Sequence, residues 1–352
     1  MIYLSGSIRH LLLIEAKSGT VSWPALRGAP GRAKKHIEEL LIAPSIQSAR
    51  LAERIKIVLK SPELRDAYLP GLNVRLDQVH TVLRLSVTLE DFATIQTNLG
   101  ELRRTGWLPD DHTLAPCMLL TDLEIVFDIL EPAGQKLHYL RRRTELATHM
   151  VTMGDEIDHL GLYLANGFNI GESEFGGVAL HLVEMSKEID DFCVARAEGV
   201  KVRKPRLRLS KWWSDICASV EQRAFHRWTD VYNILLTLAP EEQEEAEKMF
   251  TRIKTNVRAN SKDPLHQCSV VVIPTPSKTS ALALYAFRDA DSDKRRERME
   301  SVALKTFDHP NVARCLVLAV NIDRGVYPYA TLAVVSRGGG RDQSSIDDLL
   351  VY

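Results

Sequence analysis

Short apolar runs of strand length open and close the chain, and helical periodicity fills most of the interval between them. Residues 2–5 and 8–17 predict two short strands separated at Gly6, the second breaking into Glu15-Ala16-Lys17 before the turn Ser18-Gly19. Pro and Gly then punctuate Trp23 to Gly31. Over residues 32–60, Ile37, Leu40, Leu41, Ile46, Ala49, Leu51, Ile55 and Leu59 trace one apolar helical face, with Pro44 expected to divide one helix from its successor. Residues 78–90 are β-branched and apolar and predict a central strand. A strand or loop around Met118 to Leu120 is followed by a helix to Leu130, with Thr121 as its cap and Glu124 in the capping-box position. A further helix is predicted from Leu137 to Leu146.

Beyond residue 150 the pattern turns helical, interrupted by the Gly-rich stretch Phe168 to Gly177 and the basic, Pro-broken stretch Gly199 to Leu209. Trp212 to Leu238 reads as one amphipathic run, and Pro240-Glu241-Glu242 has the composition of a helix start. Strands return at His266 to Pro274, Ala281 to Phe287, Arg314 to Asn321 and Tyr329 to Val335, with a charged helix from Asp293 to Phe307. The expected organisation is an α/β domain at 1–150, a helical middle at 151–258, a smaller α/β domain at 259–336 and a flexible tail at 337–352.

Composition narrows the class. The chain has 352 residues, a 45% hydrophobic fraction and a formal charge of −1, which argues against a general basic coat but leaves room for a local basic groove. Its five cysteines contain no Cys-x-x-Cys pair, so reduced thiols in a cytoplasmic protein are expected rather than a zinc knuckle. The Leu11 to Ile14 run is too short to span a bilayer, and no membrane partner is expected.

Candidate chemistry concentrates at Glu15 and Lys17. On a strand they project from the same side, with Ala16 opposite. A carboxylate suits a hard cation such as Mg²⁺, and an adjacent ammonium can orient water or offset charge on a phosphoryl transition state. Ile14-Glu15-Ala16-Lys17-Ser18-Gly19, set between an apolar strand and a helix, resembles the Glu-x-Lys half of the motif of the PD-(D/E)xK nuclease superfamily, particularly its nuclease-related (NERD-like) domains.

The resemblance covers residues 8–90 and extends toward 146. It implies a restriction-endonuclease-like core and Mg²⁺- or Mn²⁺-dependent hydrolysis of DNA phosphodiesters in defence or DNA processing. Glu15 takes the metal-ligand position, Lys17 the lysine position, and Gln47 on the following helix matches the glutamine many members place near the site. The family pattern also puts an acid on the preceding strand, whereas residues 1–10 contain neither Asp nor Glu. The implied chain is N-terminally truncated, and its metal site is incomplete. The alternative is a nuclease-like module that binds nucleic acid or a protein partner, or forms a homo-oligomer, without catalysis.

Several basic groups could receive a phosphate backbone. They are Arg27, Arg32, Lys34 and Lys35 just beyond the motif, and Arg50 one turn after Gln47. Arg141-Arg142-Arg143 follows His138-Tyr139, mixing cations with aromatic groups. Lys201 to Lys211 carries six positive charges and no acid in eleven residues, ahead of Trp212-Trp213. Asp155, Glu156, Asp158 and His159 are read as surface groups at a helix start.

Overall fold

The computed structural model describes residues 2–5, 8–97, 99–109, 111–259, 268–272, 279–325, 328–337 and 346–348. The chain divides into two compact units. Unit 1 comprises Met1–Phe168 and Ser173–Leu207, and unit 2 comprises Asn169–Glu172 and Arg208–Tyr352. Each has the mixed α/β character expected from the alternation of strand and helix patterns.

Unit 1 begins with the antiparallel pair β1 (Ile2–Ser5) and β2 (Ile8–Lys17). A short helix α1 (Trp23–Leu26) leads into α2 (Pro30–Ile37). A π turn over Glu38–Ile42 then passes directly into α3 (Ala43–Lys60). Pro44 therefore does not separate two helices as expected. It has no N–H to donate, and its ring would crowd the carbonyl of a regular turn. Widening the preceding turn, with Ala43 N–H donating to Glu38 O, absorbs both problems and lets the helical rod continue.

After α4 (Arg65–Tyr68), strand β3 (Val79–Thr88) pairs parallel with β2. Leu11 and Leu13 on β2 pack into one core with Ala52, Ile55 and Val58 of α3. Helix α5 (Leu99–Arg104) precedes β4 (Cys117–Leu119), which pairs parallel with β3 and completes a sheet of order β1-β2-β3-β4. Helix α6 (Leu120–Ile129) follows β4 without a loop. Its N-cap is the extended residue Leu119, with no side-chain cap, so Thr121 and Glu124 form no capping box.

Helix α7 (Ala133–His149) is longer than its predicted core at both ends. The remainder of unit 1 is a parallel pair, β5 (Val151–Met153) and β6 (Ala179–His181), linked through α8 (Glu156–Asn166) and followed by α9 (Lys187–Ala197).

In unit 2, the predicted single run beginning at Trp212 is two helices, α10 (Lys211–Arg223) and α11 (Trp228–Leu235). Ala224 and Arg227 adopt positive φ between them, which ends one helix and re-aims the chain into the next. Helix α12 (Pro240–Ala259) starts at the predicted proline. Strands β7 (Ser269–Val272) and β8 (Ser280–Phe287), helix α13 (Arg295–Thr306), then β9 (Arg314–Asn321) and β10 (Thr331–Ser336) follow. The flanks predicted for β7 at His266 and Pro274 lie outside the described residues.

Strand β11 (Ile346–Asp348) pairs with β10, so the segment expected to be a flexible tail contributes a strand. Gly338-Gly339-Gly340 lies outside the described residues. The sheet order is β11-β10-β9-β8-β7, and every residue of the interior strand β8, parallel to β9 and antiparallel to β7, is buried. All five cysteines are free, and four of them are buried. Among the described residues no helix is long and apolar enough to cross a membrane.

Candidate functional site

The parallel register aligns residues from three strands at their C-terminal ends. Glu15 pairs with Ser86 and Ser86 with Cys117, while Lys17 pairs with Thr88 and Thr88 with Leu119. This edge is where open α/β sheets gather side chains around ligands. Strand alternation puts Glu15 and Lys17 on the face shared with Leu11 and Leu13, the face covered by α3.

The start of α3 is clamped to that face. Arg84 of β3 donates to Ser45 O at 3.0 Å and to Thr113 O at 2.7 Å, and Ser45 Oγ accepts from Ala115 N at 2.8 Å. Two residues beyond the clamp, Gln47 Oε1 accepts from Lys17 Nζ at 3.0 Å. The fold thus unites two predicted site residues that are 30 positions apart. Glu15 and Lys17 are partly buried, while Gln47 and Arg50 are exposed. The turn after Lys17 lies against the helical rod so closely that a Cβ on Gly19 would stand 2.8 Å from Leu40 Cδ2.

Ser86 Oγ, beside Glu15 in the register, is buried and has no hydrogen-bond partner among the described residues. The Cys117 thiol on its other side is no candidate nucleophile, because burial pushes it up to about 12.

The donor set does not fit a resident Mg²⁺ or Mn²⁺. Among the described residues no group of three or more His, Cys, Asp or Glu side chains is placed to hold a metal ion. Glu15 instead shares the edge with the Lys17 ammonium, whose charge opposes a nearby cation. His10 is buried on β2 and meets His80 edge-on, with ring centroids 6.1 Å apart.

The predicted basic contacts separate into two groups. Lys34 pairs with Glu38 and Lys35 with Glu39, each at 3.7 Å across one helical turn. These two are solvated helix pairs and offer little unpaired charge. Arg27, Arg32 and Arg50 are exposed, and their side chains make no hydrogen bond or ion pair with the described residues. The basic run beyond Lys201 is partly neutralised as well: Lys204 meets Glu131 at 2.8 Å, Arg208 meets Glu241 at 2.9 Å and Lys211 meets Asp215 at 3.0 Å.

Arg141-Arg142-Arg143 does not present three free cations, since Arg141 Nε pairs with Glu145 at 2.9 Å. Arg142 Nη2 donates to Glu174 at 2.8 Å, and Arg143 is only 2% exposed. Arg143 Nε donates to the fully buried Glu156 at 3.2 Å, and Tyr139 OH donates to the same carboxylate at 2.5 Å. Glu156 and His159 are therefore core residues, contrary to the surface reading, whereas Asp155 does cap α8 by accepting from Asp158 N at 2.8 Å. Burial holds the His159 imidazole well below its ordinary range, hence neutral, with Thr152 Oγ1 at 2.8 Å from Nε2. The signal available in the sequence was the spacing of four between Tyr139 and Arg143, which puts both on one helical face.

Asp122 adjoins this network in the first turn of α6. Partial burial, and then the carboxylates of Glu156, Asp155 and Asp91, push its carboxyl up to about 7. The folded chain consequently binds this proton more tightly than the unfolded chain. The associated stability is complete below the ordinary carboxylate range and is lost as pH rises through about 7. Asp122→Asn should therefore gain on the native protein between about pH 5 and 8, by roughly 1–2 kcal/mol once solvent screening is allowed for. Urea midpoints of both proteins across that range check the sign; a constant difference would exclude Asp122 as the titrating group.

Compared with protein-family models, with curated proteins and with solved structures, the chain matches none.

Proposed function

We propose that unit 1 is a nuclease-like α/β module that binds the phosphodiester backbone of DNA along the C-terminal edge of β2, β3 and β4 without hydrolysing it. The observation that carries this reading is the Lys17–Gln47 contact of 3.0 Å at that edge, beside Glu15. An ammonium positioned by an amide is suited to a phosphate oxygen, and the Gln47 NH₂ group adds a donor of its own. Arg27, Arg32 and Arg50 supply further cations that no described acid neutralises. The resemblance of Glu15-Ala16-Lys17 to half of the nuclease motif supports the family; the lack of a fitting ligand set supports binding over cleavage. A cytoplasmic setting belongs to the same proposal, since the five cysteines are free.

Fluorescence anisotropy with labelled DNA at two salt concentrations tests the reading. Arg50→Ala should weaken binding about uniformly across sequences and reduce the salt slope by about one. Lys17→Ala should weaken it too. Native-like affinity and slope in both variants would remove this edge from the interface. Metal-dependent hydrolysis is the second reading, favoured by Glu15 and Lys17 emerging on one face. DNA cleavage stimulated by Mg²⁺ or Mn²⁺ and abolished in both Glu15→Ala and Lys17→Ala would install it in place of the first.

A further inference from the structure

Trp23 is 74% exposed and Leu26, three residues on, is 64% exposed. Tryptophan is highly buried on average, so an indole left in water on an ordered backbone calls for a physical reason. The segment around it is well tied down. Val21 packs against the core cluster formed by Ile37, Leu40 and Leu41, and Ala25 is buried. Ser22 N donates to the His36 ring at 3.2 Å, and Ala29 N donates to Pro24 O at 3.0 Å. Val21 is partly buried and Ala25 is buried, while the indole between them stands in solvent.

The charges along the chain around that indole, from Lys17 to Lys35, are of one sign. Arg27 N donates to Trp23 O at 3.0 Å, a helical turn that sets the two side chains on the same face. Arg27 and Arg32 are exposed and have no ion pair with the described residues, whereas the nearest helix acids, Glu38 and Glu39, already face Lys34 and Lys35. A flat apolar ring with the unneutralised Arg27 guanidinium on its own face complements a ligand that is flat and anionic. A nucleotide unit is both: its base stacks on the indole and its phosphate meets the arginines. Duplex DNA meets only half of this description, because its base faces are hidden in the helical stack.

We propose that Trp23, with Arg27 on the same face, is a stacking platform for unpaired bases, so that unit 1 prefers single-stranded nucleic acid to duplex. This deepens the proposed function and rests on it, since the strand reaching Trp23 would continue onto the Lys17–Gln47 edge. The platform discriminates strandedness; the arginines and Lys17 supply affinity common to both forms.

The test is anisotropy of the full chain with three labelled probes: oligothymidylate, oligouridylate and a duplex of matching length. The native protein should bind one or both single strands more tightly than the duplex. Trp23→Ala should lose about 5- to 100-fold in single-strand affinity, collapsing the preference, and Trp23→Phe should recover most of it. Arg27→Ala should weaken all three probes. Single-strand affinity unchanged in Trp23→Ala, with Arg27→Ala and Arg50→Ala still impaired, overturns the platform and leaves the phosphodiester reading standing. Failure of the native protein to bind any probe at low salt overturns that underlying reading. Self-association of the native protein that Trp23→Ala abolishes, without a change in single-strand affinity, assigns the face to a second copy and also overturns the platform. Trp23 is exposed, so its variants should keep the native melting temperature.

Discussion

Arg143→Met is expected to cost unit 1 about 3–5 kcal/mol, the range for breaking one side of a buried ion pair. The guanidinium is 2% exposed, and its carboxylate partner Glu156 is fully buried between it and Tyr139. Removing the cation leaves Glu156 with a single donor in a medium that penalises charge. Burial already raises the Glu156 carboxyl above its ordinary range, and Arg143 is the largest influence holding it down. The variant should therefore fold best in acid, where Glu156 can take up a proton. Arg143→Met combined with Glu156→Gln should be substantially more stable than Arg143→Met alone, since an amide needs no counter-ion. Urea denaturation of the native chain, both single variants and the double variant measures the coupling. Additive losses would show that the two groups do not act as a pair.

The second large effect is expected at Gly161, in the middle of α8. A Cβ there would stand 1.9 Å from Met185 O and 2.5 Å from Met185 C. Helix propensity alone makes Gly→Ala favourable by about 1 kcal/mol. At this position the obstacle is backbone, which no rotamer change can move aside, and overpacking typically costs about 1–3 kcal/mol or more. Gly161→Ala should be destabilising on balance and should loosen the segment around Met185, seen as faster amide exchange there. Gly31→Ala in α2 is the matched control, with nothing within 4 Å of its Cβ, and should be neutral or stabilising. If both substitutions stabilised the chain equally, the tight approach at Met185 would be wrong.

The elements written most plainly in the sequence are those with uninterrupted local periodicity. Strand β9 has the predicted bounds, and β2 and β3 lie where their apolar runs lie. Helix α12 starts at the predicted proline. Misreadings occur where a tertiary constraint overrides a local preference. Pro44 looks like a helix breaker, but a π turn accommodates it; Thr121 looks like a cap, but β4 runs straight into the helix.

The candidate site follows the same division. Glu15 and Lys17 are found from strand alternation alone. Their relation to Gln47 depends on α3 folding back over the parallel sheet, which no local pattern encodes. The arginine triplet fails for the opposite reason. Charged residues next to one another along a helix suggest solvent, while Arg143 turns inward because Glu156, thirteen positions later, is buried against it. Trp23 stands among prolines and glycines with no pattern that marks it for binding, and its 74% exposure is a property of the fold.

The π turn at Glu38–Ile42 has an effect that reaches past its own five residues. Just before and within it, Ile37, Leu40, Leu41 and Ile42 face one apolar cluster, with Phe92, Leu102 and Leu114; downstream, Ala52, Ile55 and Val58 face another, with Leu11 and Leu13. The turn acts as a phase adjuster within a single rod, letting two cores with different angular settings share one helix. Shortening it by one residue would rotate everything downstream by about 100° relative to what precedes it. Gln47 would then be carried away from Lys17 even though no residue of either cluster, nor of the edge itself, had changed.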